Sequence, residues 1–210
     1  MEIEAKFVIP DAVTARRLRA LARIGEFALT EAQTLRVRDT FFDTPARTLS
    51  AARTVLRVRR RSDGKTFLTL KTPTAQRGAI HRRPEIEAEI PFARAPKTLA
   101  RENLPPRIYK HIAPCIGDAR LQPLVSISQT RHVRLLKKGR RVIGEWSIDR
   151  VEFRAGAQIR VMYELEIELS KSEAEAELAE LARYIEKEWN LQPQPKSKFA
   201  RALAFSTADA

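Results

Sequence analysis

Charged and apolar side chains alternate along much of this chain, and in three segments every charged position is a glutamate. Residues 2–4 read Glu-Ile-Glu, 85–89 read Glu-Ile-Glu-Ala-Glu and 164–168 read Glu-Leu-Glu-Ile-Glu. Such period-two alternation indicates strands with one charged and one apolar face. Glutamates at alternate positions stand roughly 6–7 Å apart on one face, and like charges repel unless cations lie among them. The fold must therefore bring basic strands beside these acidic rows.

Other segments with the same alternation supply cations at equivalent positions, namely Arg57, Arg59, Lys71 and Arg131. A one-sided sheet with a solvated charged face would explain each strand separately. The acidic and basic rows taken together favour a mainly β (α+β) fold, a closed eight-stranded antiparallel β-barrel with its charged faces inward. Amphipathic helices would cover its apolar outer faces. Carboxylates attract hard divalent cations, and arginine and lysine attract phosphates, so this lumen suits a metal-bound polyphosphate.

The eight predicted strands cover residues 1–8, 33–42, 54–61, 65–71, 80–90, 124–136, 141–153 and 158–169. Two longer helices are predicted at 13–24 and 172–189, the second with Ser172 and Glu175 in a capping-box pattern. Shorter helices are expected at 46–52, 97–102, 106–112 and 196–205. We find no internal repeat and no linker, so residues 1–205 are expected to form one domain, followed by a tail at 206–210.

The balance of charge points to an anionic partner. The chain has 39 lysines and arginines against 26 aspartates and glutamates, a formal net charge of +13. Nucleic acid, anionic lipid and phosphate-rich small molecules all suit such an excess, but glutamates beside arginines argue against specific nucleic-acid binding. No stretch approaches 18 apolar residues, so no membrane span is expected. Without a signal peptide, the expected compartment is the cytoplasm.

Eight short motifs follow one another along the chain. They are EIEAK at 2–6, FDTP at 42–45, LRVR at 56–59, TLK at 69–71, EIE at 85–87, SID at 147–149, YELEIEL at 163–169 and SKF at 197–199. Their content and order resemble the CYTH domain family of triphosphate tunnel metalloenzymes, over about residues 1–205. The resemblance implies an eight-stranded antiparallel barrel that binds a triphosphate and one or two divalent metals.

The same resemblance implies roles for individual charged residues. The implied ligands of Mg²⁺ or Mn²⁺ are Glu2, Glu4, Glu164, Glu166 and Glu168. The implied phosphate-binding residues are Lys6, Arg57, Arg59, Lys71, Arg131 and Lys198. The candidate catalytic residues are Lys6, Glu85, Glu87 and Asp149. Lys6 could bind phosphate or orient the glutamates, and the three acids could position arginines, hold a second metal or activate water.

The chain departs from the family pattern in two places. Where the family often has Lys-x-Arg on the sixth strand, this sequence has Gln129-Thr130-Arg131. We therefore expect one phosphate-binding cation to be missing, or replaced by Arg134 or by Arg36 and Arg38. The helical CHAD domain that often follows in bacterial relatives is not in the sequence, which suggests a stand-alone protein or a shortened chain.

These observations predict metal-dependent hydrolysis of a triphosphate, foremost inorganic triphosphate to pyrophosphate and orthophosphate. The motif strands offer no aromatic platform for an adenine or thiamine ring, which favours a substrate without an organic group. Thiamine triphosphatase, nucleoside triphosphatase and adenylyl cyclase activities stay open, as does a non-catalytic polyphosphate-binding module. We also predict that Lys198 lies across one mouth of the tunnel, on a tail that becomes ordered when substrate binds.

Overall fold

The computed structural model describes residues 1–73, 75–91 and 96–207. Their helices and strands, in chain order, are β1 Glu2–Ile9, α1 Ala12–Ala20, β2 Arg23–Ile24, β3 Phe27–Leu29, β4 Gln33–Asp43, α2 Thr48–Ala51, β5 Val55–Arg61, β6 Thr66–Lys71, β7 Ala75–Arg77, β8 Ile80–Arg83, β9 Glu85–Glu89, α3 Pro106–Ile116, β10 Gln122–Lys138, β11 Arg141–Ala155, β12 Gln158–Leu169, α4 Glu175–Trp189, β13 Gln192–Pro193 and α5 Lys198–Thr207. Short 3₁₀ turns cover Arg101–Asn103 and Ser172–Ala174.

Ten of the strands form a curled antiparallel half-barrel in the order β7-β8-β1-β12-β11-β10-β4-β5-β6-β9. The short strand β13 pairs with β1, and the β2–β3 hairpin joins the sheet where β3 pairs with β10. The N-terminal strand therefore lies beside β12, with Glu4 opposite Glu168. The mainly β class with flanking helices is confirmed.

The predicted closure into an eight-stranded barrel is wrong, and Pro84 is the physical reason. Proline has no N–H to donate to a ladder, so it interrupts the predicted strand 80–90. The two resulting pieces pair with different partners, β8 with β1 and β9 with β6. Within the described ranges no ladder joins the two edges of the sheet. The curl nevertheless brings the two edges close together, since Lys71 Nζ on β6 lies 2.6 Å from Glu2 Oε1 on β1.

The apolar faces of the strands point outward, as predicted, and helices cover them in two places. Over β1, β11 and β12, helices α1 and α4 complete a cluster that includes Phe7, Trp146, Ile167, Leu18 and Leu181. Over β4, β5 and β6, helices α2 and α3 complete another that includes Phe42, Leu56, Leu68, Leu49 and Ile108. Because burial of each large apolar side chain contributes roughly 1.5–3 kcal/mol, these two layers hold the sheet in its curl.

A third, smaller cluster fills one end of the concave face. Phe41, Ile127, Val151 and Phe153 pack there against Ala202 of α5. The last helix thus lies inside the curl at that end, whereas α1 to α4 lie outside. Its position decides which charged residues of the neighbouring strands are buried and which are accessible.

Several helix boundaries differ from the predicted ones. Helix α1 ends at Ala20 because residues 23–24 join the small hairpin as β2. Helix α4 starts at Glu175 without a side-chain cap, and Ser172 lies in the preceding 3₁₀ turn, so the predicted capping box is not formed. The helix expected at 97–102 is reduced to the 3₁₀ turn, and α5 continues through Thr207. Residues 92–95, which follow the predicted strand 80–90, and residues 208–210 of the predicted tail lie outside the described residues.

None of the helices in the described part of the chain has the length and apolar character that crossing a membrane requires.

Candidate functional site

The concave face of the half-barrel encloses a cavity of about 300 Å³. Period-two alternation turns every second side chain of the strands towards it. Eight acidic side chains border it, Glu2, Glu4, Asp39, Glu85, Glu87, Glu145, Glu166 and Glu168. Eight basic ones border it too, Lys6, Arg57, Arg59, Arg61, Lys71, Arg83, Arg131 and Lys198. The charged faces of the strands therefore line the concave side, as predicted.

Most of the predicted site residues are brought together here, but Asp149 and Glu164 do not border the cavity. Both are fully buried in the wall behind it. The Asp149 carboxylate accepts hydrogen bonds from Arg131 Nε at 2.9 Å and from Lys198 Nζ at 2.5 Å. It can position these two cations but is too enclosed to act on a substrate directly.

Glu164 lies on the same face of β12 as Glu166 and Glu168, but it does not border the cavity. Its carboxylate contacts Arg201 of α5 and lies 3.5 Å from Lys198 Nζ. Burial raises the pKa of Glu164 to about 7 even though Lys198 and Arg201 act in the opposite direction. The physical reason for this burial is α5, whose Lys198 and Arg201 cover this end of β12.

A basic wall is built on β4 and β5 around the buried carboxylate of Asp39. Arg59 binds it through two hydrogen bonds of 2.8 Å, and Gln129 donates a third at 2.8 Å. Arg57 Nη1 lies 3.8 Å from Asp39 Oδ2. Burial alone would raise the pKa of Asp39, but Arg59 and Arg57 outweigh it and hold the pKa well below its usual range. Asp39 is thus ionised and fixes two guanidinium groups at the cavity surface.

Two lysines bridge the acidic rows at the other side of the cavity. Lys6 Nζ lies 2.7 Å from Glu4 and 3.7 Å from Glu166. Burial alone would lower the pKa of Lys6, but these two carboxylates outweigh it and raise the pKa. Lys71 Nζ lies 2.6 Å from Glu2 and 2.8 Å from Glu85. Lys6 is therefore charged, and both lysines are held between acids.

Three glutamates stand side by side on adjacent strands, Glu4 on β1, Glu168 on β12 and Glu145 on β11. Glu4 forms an ion pair with Lys6, whereas Glu168 and Glu145 form no ion pair with any residue of the described part. Its enclosed position and the charges of Glu2 and Glu4 raise the pKa of Glu168 to about 7. Two of the three carboxylates, those of Glu168 and Glu145, therefore have no cationic partner in the described part of the chain.

The glutamate row fits a hard divalent cation, because carboxylate oxygens are the ligands that Mg²⁺ and Mn²⁺ prefer. No three acidic, histidine or cysteine side chains of the described residues already converge as a metal centre. Glu4 and Glu168 would hold such an ion, with Glu2 or Glu166 within reach on the same strands. A cation there would supply the charge that the row lacks.

Lys198 lies in the wall of the cavity and not across its mouth. Ser197 Oγ accepts a hydrogen bond from Ala200 N at 3.1 Å and so starts α5, as the sequence suggested. The Lys198 side chain then enters a pocket of acids, 2.5 Å from Asp149 and 3.0 Å from Glu166. Only 9% of Lys198 is exposed, so its ammonium group is a fixed part of the site.

The suggested replacements for the missing sixth-strand cation do not reach the cavity. Arg36 and Arg38 are exposed on the outer face of β4. Arg134 donates to backbone oxygens that include those of Arg19 and Leu29. The extra cations at the cavity are Arg61 and Arg83, which were not predicted as site residues.

Four charged residues at the cavity were absent from the predicted set. Arg61 and Glu145 continue the alternation of Arg57-Val58-Arg59 and of the strand that contains Asp149, so the pattern contained the signal for both. Asp39 follows Leu35 and Val37 on an otherwise apolar face, and Arg83 is separated from Glu85 by the strand-breaking Pro84. Those two could be found only by tracing each strand face through its irregular positions.

The cavity also has aromatic side chains, contrary to the expectation from the motif strands. Phe41, Phe67 and Phe199 border it. The rings of Phe41 and Phe199 pack against each other with centroids 4.9 Å apart, and Arg61 lies over Phe67 at 5.7 Å. An organic group next to the phosphate-binding side chains would find apolar contacts here.

A curled antiparallel sheet with this charged concave lining defines the class of triphosphate tunnel proteins. The chain belongs to the CYTH domain family, whose model matches residues 1–203.

Solved structures show the same fold. HpAC1 from Hippeastrum, a proposed adenylyl cyclase with a dominant triphosphatase activity, is similar with a TM-score of 0.71, 21% identity and coverage of 98% of this chain and 96% of that one. A proposed adenylate cyclase from Bacillus halodurans has a TM-score of 0.64, 18% identity and 96% coverage of both chains. The PH1819 protein of Pyrococcus horikoshii has a TM-score of 0.60, 21% identity, and coverage of 98% of this chain and 99% of that one. No curated protein sequence matches the chain.

Proposed function

We propose that the protein is a metal-dependent triphosphatase, a phosphoric anhydride hydrolase, and that its foremost substrate is inorganic triphosphate, cleaved to pyrophosphate and orthophosphate. The observation that carries this proposal is the division of the cavity lining. Fixed arginines lie on one side, and on the other lies a row of glutamates of which Glu168 and Glu145 form no ion pair in the described part of the chain. The triphosphatase activity of the structurally similar HpAC1 supports the same choice.

The basic side of the cavity would bind the phosphate chain. Arginine forms planar, two-pronged hydrogen bonds with phosphate oxygens. Arg59 and Arg131 are already oriented by the buried carboxylates of Asp39 and Asp149. Because these cations are fixed before substrate arrives, little rearrangement is needed to stabilise charge that develops on the transferred phosphoryl group.

The acidic side would hold Mg²⁺ or Mn²⁺, which when bound neutralises charge on the phosphate oxygens and on the leaving group. Glu4 and Glu168 are the proposed ligands. Lys6 and Lys71 offset the charge of the neighbouring carboxylates. Both border the cavity, where they would contact phosphate oxygens of a bound substrate.

Glu87 is the carboxylate best placed to orient an attacking water. Its side chain is 41% exposed, whereas Asp149 is fully buried. Thr69 Oγ1 donates to Glu87 at 2.8 Å, and Arg57 lies 3.8 Å from it. An accessible carboxylate beside a phosphate-binding arginine can accept a proton from water in line with a bound phosphate. Glu85, paired with Lys71, is the better candidate for keeping that lysine in place.

The proposal includes a cytoplasmic protein with a single domain over residues 1–205, and a small-molecule triphosphate or polyphosphate as its partner. It includes neither a specific nucleic acid nor a membrane.

Product analysis tests the proposed reaction. The protein is incubated with inorganic triphosphate, thiamine triphosphate or ATP, each with Mg²⁺, with Mn²⁺ or with excess chelator. We expect orthophosphate and pyrophosphate from inorganic triphosphate whenever a metal is present, and neither product under chelation. Hydrolysis that survives full chelation would exclude the metal-dependent reaction. Cyclic AMP from ATP would identify a cyclase instead.

Hydrolysis of an organic triphosphate is the second candidate, favoured by the phenylalanines at the cavity. Phe67 is the ring to test because it is only partly buried, whereas Phe41 and Phe199 pack against each other. If a base or thiamine ring contacts Phe67, the variant Phe67→Ala should raise KM for the organic substrate and leave KM for inorganic triphosphate unchanged. Equal KM values in variant and wild type for every substrate would remove this candidate.

A further inference from the structure

The net positive charge of this protein comes from residues outside the cavity. Equal numbers of acidic and basic side chains border the cavity, so the formal net charge of +13 must come from elsewhere. Part of it is concentrated on the outer face of β4, β5, β10 and β11. Six arginines and one carboxylate border the depression there, namely Arg36, Arg38, Arg60, Arg61, Arg150 and Arg154 with Glu152. We call this depression the outer groove.

Strand register brings these arginines together. Arg38 on β4 stands opposite Arg60 on β5 and opposite Ser128 on β10. Thr130, the next outward residue of β10, stands opposite both Arg36 and Arg150. Since adjacent strands are about 4.8 Å apart and alternate residues roughly 6–7 Å apart, the guanidinium groups form a compact array.

Three of these arginines have no acid to balance them. The guanidinium groups of Arg36, Arg38 and Arg60 make no ion pair within the described part of the chain, whereas Arg150 and Arg154 share Glu152. Like charges placed directly across a strand pair destabilise a sheet, and here Arg38 faces Arg60. An array of this kind is stabilised when an external anion lies among the arginines.

The groove is long and is left open by the helices. Two adjoining depressions of about 400 and 280 Å³ share Arg38, Ser128 and Glu152. The groove lies between the two outer surfaces that α1 with α4 and α2 with α3 cover. Hydroxyl groups of Ser62, Ser126, Ser128 and Thr130 border it and can donate hydrogen bonds to phosphate oxygens.

We propose that the outer groove binds a linear inorganic polyphosphate chain. Arginines and hydroxyls repeated along an extended groove match an extended anion that carries a charge on every unit. Single-stranded nucleic acid normally requires aromatic side chains on which its bases stack, and none of the described residues that border the groove is aromatic. This site is separate from the proposed triphosphatase reaction and does not depend on it.

Binding of polyphosphate of a single defined chain length, measured by calorimetry in chelator and moderate salt, tests this site. Chelation suppresses metal-dependent binding in the cavity. We expect the double variant Arg38→Ala/Arg60→Ala to weaken binding by about tenfold or more, since two arginine–phosphate contacts are lost. The control Arg120→Ala/Arg140→Ala removes the same charge from two exposed positions elsewhere and should change affinity by about twofold or less.

The outcomes separate this site from the cavity. If both double variants weaken binding equally, the protein attracts polyphosphate only through its overall charge and the groove is not a site. If an RNA oligonucleotide with the same number of phosphates binds the groove as tightly, the polyphosphate assignment is wrong. Turnover of inorganic triphosphate should be unchanged in Arg38→Ala/Arg60→Ala and reduced in Arg57→Ala. A protein without any turnover would overturn the proposed function and leave the binding result standing.

Discussion

The two faces of β4 and β5 both carry arginines, but only one face supplies them with acids. On the concave face, Arg59 forms two hydrogen bonds with Asp39, and Arg57 lies beside the same carboxylate. On the outer face, Arg60 stands opposite Arg38, and neither side chain has an acidic partner in the described part of the chain. Neighbours in sequence thus have opposite electrostatic surroundings.

This contrast shows how the same residue type can serve two kinds of anion binding. A buried carboxylate holds a concave-face arginine in one orientation and offsets part of its positive potential. Such an arginine suits a small ligand that must be positioned for chemistry. An outer-face arginine without an acidic partner, such as Arg60, has no carboxylate to offset its positive potential or to fix its side chain. Such an arginine suits an extended ligand. The position of the acids, more than the number of arginines, distinguishes the two faces.

The adjacent pair Arg59 and Arg60 offers the largest test of this contrast. Removal of Arg59 leaves the buried Asp39 carboxylate without its main partner, so Arg59→Ala should lower the free energy of unfolding by about 3–5 kcal/mol. Arg60→Ala removes an unpaired surface charge and should stay within about 0.5 kcal/mol of wild type. Urea unfolding measures both, and similar losses in the two variants would show that the faces are not electrostatically different.

Glu168 tests the opposite situation, an acid without a cation. Glu168→Gln should lower kcat/KM for the metal-dependent reaction on the order of 100-fold, because a proposed metal ligand is lost. Its melting temperature should be unchanged or slightly higher, since the variant relieves repulsion with Glu4 and Glu145. Kinetics at several metal concentrations and thermal unfolding provide the two readouts.

Glu186→Gln is the matched control for Glu168→Gln, because Glu186 is exposed on α4, which covers the outer face of the sheet, and does not border the cavity. Near-normal turnover of Glu168→Gln at saturating metal would place the metal elsewhere in the cavity.

Acid stability should depend on Asp39. Its pKa is lower in the folded protein than the usual value near 4, so the unfolded chain binds a proton that the folded one does not. The stabilisation is present above that usual value and is lost as the pH falls towards the folded-state pKa. We expect a loss on the order of 2 kcal/mol from this residue between about pH 5 and pH 2. Asp39→Asn should lack this part of the pH dependence, and parallel curves for variant and wild type would contradict the assignment.

The smallest expected effect comes from the outer face. Arg38→Ala should raise the free energy of unfolding by a few tenths of a kcal/mol at low salt, because it removes the repulsion with Arg60. The gain should disappear in high salt, where exposed charges are screened. A loss of about 1 kcal/mol or more would mean that Arg38 has a stabilising contact and that the outer groove is not strained by its charges.

The sequence predicted the faces of the strands well because alternation records burial directly. The row Glu2, Glu4 and Lys6 and the row Arg57, Arg59 and Arg61 both border the cavity. The degree of burial of successive charged side chains on one strand was not predictable in the same way. On β12, Glu164 is fully buried under α5, Glu166 is 9% exposed and Glu168 faces the open cavity. Identical spacing therefore did not predict that Glu164 lies outside the lining of the cavity.

Features that depend on distant parts of the chain were also missed. Strands β2, β3, β7 and β13 have two or three residues each, too few for an alternating pattern to be recognised. The sheet does not close at Pro84 because β8 pairs with β1 and β9 pairs with β6, and alternation within a strand does not reveal its pairing partner. Lys198 was expected at the mouth, but Asp149 and Glu166 hold it in the wall. The stability of Lys198→Ala should therefore be lower than wild type, contrary to the expectation for a mobile tail.

The pairing of β1 with β12 has a consequence for the order in which the molecule folds. Residues 4–9 meet 163–168, so β1 leaves the ribosome long before the strand that pairs with one of its edges. Contacts this far apart in sequence slow folding, because a long loop must close before they form. Until then β1 can pair only with β8, which is also synthesised later. The cavity is thus a late product of folding, completed when β12 and then α5 arrive.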